Sequence, residues 1–264
     1  MSRLPRISKN NYYSSEINKV YWSASLVKQF LACPASALAE LNGTYQRPYS
    51  SALAIGSYVD AAVEGKKSFD RYVDEHHEEI FLKGKELKFR ADYERANLMI
   101  DRMKSDDVFM DYLKGQKQKI LTGKLFGLPF KAKLDVYKKG ERIVDLKTVK
   151  DMDWLYKPGV GKISPIEYYG WDIQMAIYSA LEGHDLPTYL AIVTKETSPE
   201  LFLIEIDKER RESCLAFLED KMPYFDGIKQ GIIPPDRCDT CDYCKATKKI
   251  TRPITMEQLR LMRE

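Results

Sequence analysis

The chain has 264 residues, of which 44% are hydrophobic, and this is enough to bury the core of a compact domain. No apolar stretch approaches the roughly 20 residues of a membrane-spanning helix, and no signal peptide with an apolar central region is seen. We therefore expect a soluble, cytoplasmic protein rather than a membrane or secreted one. The formal net charge of +3 is too small to indicate a nucleic-acid partner by itself.

The first half of the chain is predicted to be mostly helical. After an irregular start to about Asn11, apolar residues at helical spacing predict helices over residues 25–41, 52–64 and 89–113. Ser25 is the expected N-cap of the first helix. Gly43 and Gly65 are expected to end the first and second helices. The third helix is expected to be interrupted near residues 105–107.

Strands predominate in the second half. Alternating apolar and polar residues predict strands over residues 119–126, 130–137, 142–148, 189–195 and 201–206. An amphipathic helix is predicted around residues 172–181, and a long final helix over 208–230 with a break at Pro223. Residues 151–169, with two prolines and two glycines, are predicted to form a loop.

Acidic residues and a lysine converge on the predicted hairpin over residues 130–148. Alternation puts Asp145 and Lys147 on one strand face, while Val144 and Leu146 point into the opposite apolar layer. The preceding strand is predicted to divide in the same way, with Phe130, Ala132, Leu134 and Val136 on one side and Lys131, Lys133 and Asp135 on the other. If the strands pair antiparallel, Asp135 and Asp145 converge on one hard divalent cation, for which magnesium is the natural candidate.

This arrangement predicts a metal-dependent nuclease site. Two carboxylates with a cation supply a Lewis acid for a phosphodiester. Lys147 can hold the attacking water and offset developing charge. Gln174 and Tyr178 lie one turn apart on the following helix, where they are predicted to orient Lys147 or a DNA phosphate.

Each part of this pattern also has an ordinary interpretation. Asp and Lys on a strand commonly form a solvated edge, and Gln and Tyr at helical spacing commonly lie at the rim of a core. Their combination in strand, strand, helix order favours the nuclease site. The alternative of a different class is a non-catalytic DNA-binding or scaffolding protein, in which lysines and cysteines carry the function.

Lysines are concentrated next to the expected metal ligands. Strand alternation could place Lys117 and Lys119 on one face, with Lys131 and Lys133 on the neighbouring strand. We predict that these four lysines contact DNA phosphates. The alternative for any such cluster is a solvated surface.

Cysteines at the C-terminal end have the spacing of a metal site. Cys238, Cys241 and Cys244 form C-x-x-C-x-x-C, and Cys33 lies far upstream. Four thiolates suit either zinc or an iron–sulfur cluster. The alternative is a set of reduced thiols, and Cys214, within an apolar helix, is expected to be a core residue.

The Asp135, Asp145-x-Lys147 and Gln174-x-x-x-Tyr178 motifs resemble those of the PD-(D/E)xK nuclease superfamily and its RecB-type group. More closely, the chain resembles phage and prophage RecE-like exonucleases of the exonuclease VIII type. This similarity includes the N-terminal YYSSEINKVYWSASLVKQFLACPASALAELNG and the C-terminal CDTCDYCKATKKITRPI.

The resemblance implies an α/β (α+β) fold with a restriction-endonuclease-like core, a mixed central sheet flanked by helices. We predict one such domain over residues 1–264, with a helical N-terminal segment to about residue 50 and a cysteine-rich segment over about 234–254. RecB-type nucleases usually carry a metal-binding His four residues after a Gly on an early helix. Here Asp60 follows Gly56 in that position.

The resemblance also implies cofactors. Asp60, Asp135, Asp145 and the Leu146 carbonyl would bind one or two Mg²⁺ or Mn²⁺ ions. Some RecB-type nucleases, AddB among them, join their terminal segments through a four-cysteine iron–sulfur cluster with one early and three late cysteines. The last gap is longer in those proteins than in this chain.

The implied activity is 5′→3′ exonucleolytic digestion of one strand of linear duplex DNA. Its product would be a 3′ overhang for a RecT-type annealing protein. Related exonucleases form closed rings, so we expect a homo-oligomer in a bacterial host cell. An endonuclease or a helicase-associated nuclease of the same fold is the alternative, although this chain has no Walker A motor sequence.

Overall fold

The computed structural model describes residues 4–84, 88–250 and 252–261. Within these ranges, no helix combines the length and apolar character needed to cross a membrane. The ends of the predicted domain, at residues 1 and 264, and residue 251 of the predicted cysteine-rich segment lie outside the described residues.

Helices form the N-terminal part of the fold, and the remaining elements alternate between strands and helices. The N-terminal helices are α1 (Ser15–Val20), α2 (Ala24–Ala32), α3 (Pro34–Leu41), α4 (Ser51–Glu64), α5 (Lys66–Glu75), α6 (His77–Ile80), α7 (Ala91–Lys104) and α8 (Asp107–Tyr112). The elements that follow are β1 (Gln116–Leu125), β2 (Leu128–Lys138), β3 (Arg142–Val149), β4 (Leu155–Lys157), β5 (Gly161–Ile163), α9 (Pro165–Tyr168), α10 (Trp171–Glu182), β6 (Thr188–Thr194), β7 (Leu201–Ile206), α11 (Lys208–Lys229), α12 (Asp242–Ala246) and α13 (Met256–Leu261).

The main sheet has five strands in the order β1-β2-β3-β6-β7. Its central pair, β3 and β6, is parallel, and the other neighbours are antiparallel. A parallel pair needs a crossover connection, which here contains α10. The predicted mixed sheet flanked by helices is therefore confirmed.

Two hydrophobic cores enclose this sheet. The α10-side core contains residues of α2, α10 and α11 packed on strand residues that include Leu134 and Ile143. The α4-side core contains residues of α4 and α7 packed on strand residues that include Val136 and Leu146. Helices from both halves of the chain are thus held against the strands that carry the predicted site.

The predicted single helix over residues 25–41 is wrong, because the chain turns at Cys33. Cys33 has an extended backbone (φ −166°, ψ 102°) between α2 and α3. Pro34 disfavours helical geometry in the residue before it and is itself favourable at the first position of a new helix. The observed N-cap of α2 is Ser23, whose side chain accepts from the Leu26 amide, and not the predicted Ser25.

The predicted loop over residues 151–169 is also wrong in part. It contains β4 and β5, which pair as a small antiparallel hairpin separate from the main sheet, and the short helix α9. Conversely, the expected break at Pro223 is not observed, since α11 continues through it. Met222, Phe225 and Ile228 are buried in the α10-side core on both sides of this proline and hold the helix in place.

Candidate active site

The candidate site lies where β2 and β3 separate. Their backbone pairing is confined to the residues next to the connecting turn and ends at Val136↔Val144. At the next residue of β2, a side chain links the two strands instead of the backbone. Asp135 Oδ2 accepts a hydrogen bond from the Leu146 amide of β3 at 3.1 Å. The divergence opens a cleft between strands that remain connected by this carboxylate.

The regular alternation of β2 stops at Asp135. Leu134 packs in the α10-side core, whereas Val136 packs in the α4-side core. The prediction that these residues share a side is wrong for Val136. Opposite Asp135, Gln118 has a φ of +53°, which lies in the left-handed region that few non-glycine residues adopt. Gln118 Nε2 donates to Asp135 Oδ1 at 3.4 Å.

Asp145 is buried between two oriented partners. Its Oδ1 accepts a hydrogen bond from Gln174 Nε2 at 2.7 Å. Its Oδ2 forms an ion pair with the Lys147 ammonium but has no hydrogen bond of regular geometry. Sequence alternation and the observed contacts therefore agree that Asp145 and Lys147 face the same point.

Gln174 connects Asp145 to α2 and to Tyr178. Its Oε1 accepts a hydrogen bond from Lys28 Nζ at 2.8 Å, and its Nε2 donates to the Tyr178 hydroxyl at 3.0 Å. The Tyr178 hydroxyl in turn donates to the Lys133 carbonyl at 3.3 Å. Gln174 thus contacts Asp145 directly and reaches the predicted partner Lys147 through that carboxylate.

Lys28 is a site residue that the sequence analysis missed. It is the sole charged residue of α2, and a single charge within a mostly apolar helix was the available signal. Its pKa is lowered to about 8, first by burial and then by the positive charge of Lys147. The alkyl chain of Lys28 passes close to Gly170, where an added Cβ would lie 3.1 Å from Lys28 Cδ.

Asp60 of α4 faces the same cleft, which has a volume of about 410 Å³ and is also lined by Asp135, Asp145 and Lys147. Burial raises the pKa of Asp60 to about 7, and the charge of Asp145 adds to this against the opposing effect of Lys147. Burial, followed by the charges of Asp145 and Asp60, raises the pKa of Asp135 well above its usual range. Three carboxyl groups therefore face one cleft, and the raised pKa values of Asp60 and Asp135 show that a bound cation would stabilise their ionised forms.

The three carboxylates do not all lie within 4.8 Å of one another. Among the described residues, the cysteines discussed below are the group whose His, Cys, Asp or Glu ligand atoms all lie within 4.8 Å of one another. Mg²⁺ usually keeps several water ligands and is bound through one or two carboxylates, so three direct carboxylate ligands are not required. Leu146 lines the same cleft, and the role of its carbonyl as a ligand stays a prediction.

A second groove adjoins the cleft. It has a volume of about 640 Å³ and shares Asp60, Leu146 and Lys147 with the cleft. Its further lining includes Lys150, Tyr169 and Lys195. The predicted catalytic lysine thus lies at the junction of two connected depressions on the surface.

Lys131 does not contribute to a DNA-binding surface, contrary to the prediction. The residue is 1% exposed, and its ammonium donates to the Tyr12 carbonyl and, at 2.6 Å, to Asn18 Oδ1. Lys133 differs, because it lines the cleft with its ammonium 4.5 Å from the centre of the Tyr13 ring. Lys131 holds the N-terminal segment on the sheet.

Lys117 and Lys119 lie on opposite faces of β1, so the predicted shared face is wrong. Lys117 pairs with Val136 of the α4-side core, and Lys119 pairs with Leu134 of the α10-side core. Directly opposed residues in antiparallel strands point to the same side. Gln118 between the two lysines interrupts the alternation. The Lys117 ammonium donates to the Leu113 carbonyl, and burial lowers its pKa.

The structure brings together the four cysteines that were predicted to bind a metal. Their sulfur atoms all lie within 4.8 Å of one another, with Cys33 and Cys244 buried and Cys238 and Cys241 half-buried. Cys33 Sγ and Cys244 Sγ lie 3.5 Å apart. Cys33 lies at the α2–α3 turn, so the cluster joins the N-terminal helices to the C-terminal segment.

Backbone amides donate hydrogen bonds to two of these sulfur atoms, although burial raises the pKa values of Cys241 and Cys244. The Cys241 amide donates to Cys238 Sγ at 3.3 Å, and the Cys244 amide donates to Cys241 Sγ at 3.4 Å. Burial raises the pKa of Cys238, but hydrogen bonds from Thr240 and from the Cys241 amide outweigh it and bring the value to about 6. Amide-to-sulfur bonds of this kind surround metal-bound thiolates. Cys214 is buried in α11, apart from this cluster.

The chain is similar to known proteins in sequence and in fold. Residues 23–247 match the family described as PDDEXK-like domain of unknown function (DUF3799). The crystal structure titled "Putative exonuclease" from Eubacterium rectale is similar over 97% of this chain and 98% of that chain, with 34% identity and a TM-score of 0.89. The structure of SSO0001 is only weakly similar, with 13% identity and a TM-score of 0.31 over 76% of this chain and 84% of that chain. The chain has no match among curated proteins.

The family match covers most of the chain, and the Eubacterium rectale protein is similar over nearly its whole length. Both support a nuclease with the PD-(D/E)xK fold, a superfamily that generally uses divalent metals. The chain belongs to the PDDEXK-like family DUF3799.

Proposed function

We propose that the protein is a magnesium-dependent exonuclease that degrades one strand of linear duplex DNA in the 5′→3′ direction. The observation that carries this proposal is the convergence of Asp145, Lys147 and Gln174 at the opening between β2 and β3. The nuclease family supports the reaction class. The direction of digestion rests on the resemblance to RecE-like exonucleases.

The donor set suits a hard divalent ion. Asp60, Asp135 and Asp145 offer carboxylate oxygens, and Asp145 Oδ2 is buried without a regular hydrogen bond. We infer that these residues, with the Leu146 carbonyl, hold one or two Mg²⁺ or Mn²⁺ ions. When bound, the ion acts as a Lewis acid on the phosphodiester.

The remaining site residues would position the attacking water, orient the metal ligands and stabilise negative charge on the phosphate. Lys147 would position the attacking water and stabilise the negative charge that develops on the phosphate. Gln174 would hold Asp145 in the orientation that meets Lys147, and Tyr178 would hold Gln174. Lys133 would contact the DNA backbone from the side of the cleft.

We assign the four-cysteine cluster a structural metal, either zinc or an iron–sulfur cluster. Both accept four thiolates. The cluster would tie the turn at Cys33 to the segment that carries Cys238, Cys241 and Cys244. Purification without air, followed by a visible absorption spectrum and metal analysis, distinguishes the two, since zinc gives no visible band.

The proposed biological setting is recombination in the cytoplasm of a bacterial host. Resection would leave a 3′ single strand for an annealing protein of the RecT type, and the nuclease would form a closed ring around DNA. Light scattering measures the oligomer, and co-purification with an annealing protein encoded nearby tests the partner. A monomer in solution, or a failure to co-purify with an annealing protein, would contradict this setting.

The central experiment compares linear duplex with covalently closed circular duplex in the presence of Mg²⁺. An exonuclease digests the linear form and leaves the circle intact, whereas cutting of the circle indicates an endonuclease. Labels at the 5′ or 3′ end report the direction. Asp135→Ala and Lys147→Ala serve as inactive controls. Digestion by neither the parent nor the variants would favour a non-catalytic DNA-binding protein.

A further inference from the structure

The β4–β5 hairpin forms an arm between the predicted catalytic strand and α10. It leaves β3 shortly after Lys147 and returns through α9 to Trp171. Its strands pair with each other and not with the main sheet. The segment therefore extends from the site on a connection of a few residues.

The two faces of this arm differ. The pair Leu155↔Ile163 is half-buried, whereas the neighbouring pair Tyr156↔Lys162 is exposed. Residues that are directly opposed in an antiparallel pair have adjacent side chains on one face. The outer face therefore presents an aromatic ring beside an ammonium group.

Other aromatic side chains near the arm are also open to solvent. Trp154 is 65% exposed and Tyr156 is 69% exposed. Tyr169 is 44% exposed, stacks on the buried Trp171 ring with centroids 5.3 Å apart, and lines the groove that contains Lys147. A group of exposed aromatic residues beside a site usually marks a binding surface.

The chemistry of this surface matches unpaired nucleotides. Each base has a flat π face that can stack on Trp or Tyr, and this contact tolerates any sequence. In a duplex these faces are covered by neighbouring base pairs, so stacking selects single strands. Lys157 and Lys162 are exposed on the arm and can attract the backbone phosphates.

We propose that the β4–β5 arm binds single-stranded nucleic acid next to the active site, with bases stacked on Trp154 and Tyr156 and a phosphate near Lys162. The inference rests on the proposed nuclease function, for which it supplies a holding place for the strand separated from the duplex. Tyr169, which follows α9 on the return from the arm, lines the groove that contains Lys147.

Tryptophan fluorescence tests this binding without any cleavage. Trp22 and Trp171 are 1% and 6% exposed, so Trp154 is the tryptophan most open to solvent. The parent protein is titrated in chelator with a single-stranded oligonucleotide of about 12 nucleotides, a length within the site sizes of single-strand binding proteins. We expect saturable quenching and protection of Trp154 from iodide. A blunt duplex of the same sequence should give weaker binding.

Substitutions locate the contact. Tyr156→Ala keeps the Trp154 reporter and should weaken single-strand binding by roughly 5- to 100-fold through loss of one stacking contact. Lys162→Ala should reduce the slope of log affinity against log salt by about 0.7, as expected for one phosphate contact on a single strand. Phe217→Ala on α11, another exposed aromatic residue, is the matched control and should leave binding unchanged.

Several outcomes would overturn the inference. These are an absence of quenching by the single strand, equal quenching by single strand and duplex, or equal effects of Tyr156→Ala and Phe217→Ala. Trp154 could also be protected from iodide in the absence of DNA. If that protection disappeared on dilution, it would indicate contact between two copies of the chain instead. Digestion of linear duplex by the same preparation is measured separately. Digestion without quenching would reject single-strand binding by the arm but not the nuclease function. Quenching without digestion would reject the nuclease function but not binding by the arm.

Discussion

Lys28 and Gln174 are joined across two helices by a hydrogen bond of 2.8 Å, and this contact determines which end of the Gln174 amide faces Asp145. The two ends of an amide have similar size but opposite hydrogen-bonding character. A rotated Gln174 would set its oxygen against the Asp145 carboxylate and its NH₂ group against the Lys28 ammonium. Lys28 therefore keeps a donor directed at Asp145.

Replacement of Lys28 by Met should slow the chemical step more than it weakens DNA binding. Loss of a hydrogen bond to a charged group costs about 1.5 kcal/mol, or roughly 10-fold in rate if it is expressed in kcat. Steady-state digestion measures kcat and KM separately. Lys19→Met, an exposed lysine of α1, is the control. A change in KM alone would indicate that Lys28 contacts DNA instead.

Combining Lys28→Met with Gln174→Leu should give less than the sum of the single effects. In Gln174→Leu the amide that Lys28 orients is absent, so removal of Lys28 has little left to change. For directly contacting residues we expect a coupling of about 1 kcal/mol in ΔΔG‡ from the double-mutant cycle. Additive effects would show that the two residues act independently.

Replacement of Lys147 by Met should reduce single-turnover digestion by about 10²- to 10³-fold, the usual effect of removing one donor to a transition state. Affinity for DNA in chelator should change little, because one phosphate contact is a small part of the total. Lys139→Met, in the exposed turn between β2 and β3, is the control. Retention of parental turnover by Lys147→Met would remove the proposed catalytic role.

Alternation along β3 was enough to predict that Asp145 and Lys147 face one point, because that pattern is local to a strand. The position of Asp60 opposite them came from the resemblance. The burial of Lys131 could not be predicted, since its partner is a carbonyl at Tyr12, far away in sequence. Nor could the reversal at Asp135, which depends on the backbone of Gln118 in the neighbouring strand. The β4–β5 hairpin was predicted as a loop because prolines and glycines, such as those near Pro158, are common in both hairpins and loops.

Replacement of Asp145 by Asn should abolish stabilisation by Mg²⁺. The parent protein should gain about 2.7 kcal/mol of unfolding free energy at a hundredfold excess of Mg²⁺ over its Kd, because the ion binds the folded state. The variant keeps the side-chain shape but loses a negative charge. Asp153→Asn, exposed in the segment before β4, should respond like the parent. Thermal unfolding with and without Mg²⁺ measures this effect independently of activity.

Replacement of Cys33 by Ser should release the metal of the cysteine cluster and separate the C-terminal segment from α2 and α3. We expect loss of bound zinc or of the visible iron–sulfur band, together with faster proteolysis after residue 234. Cys214→Ser is the matched control, because Cys214 is also buried but lies outside the cluster. If Cys33→Ser contained as much metal as Cys214→Ser, Cys33 would not be a metal ligand.

Replacement of Gln118 by Val should destabilise the protein and impair the site together. Valine is branched at Cβ and poorly tolerates the φ of +53° observed here, so we expect a cost of about 1–2 kcal/mol in unfolding free energy. Gln118→Gly tolerates this backbone but also lacks the amide that donates to Asp135. Glycine should therefore retain more of the stability while losing activity to a similar extent. Urea unfolding and digestion rates, measured on both variants, separate the backbone effect from the hydrogen bond, and full activity in Gln118→Gly would show that Asp135 does not need this donor.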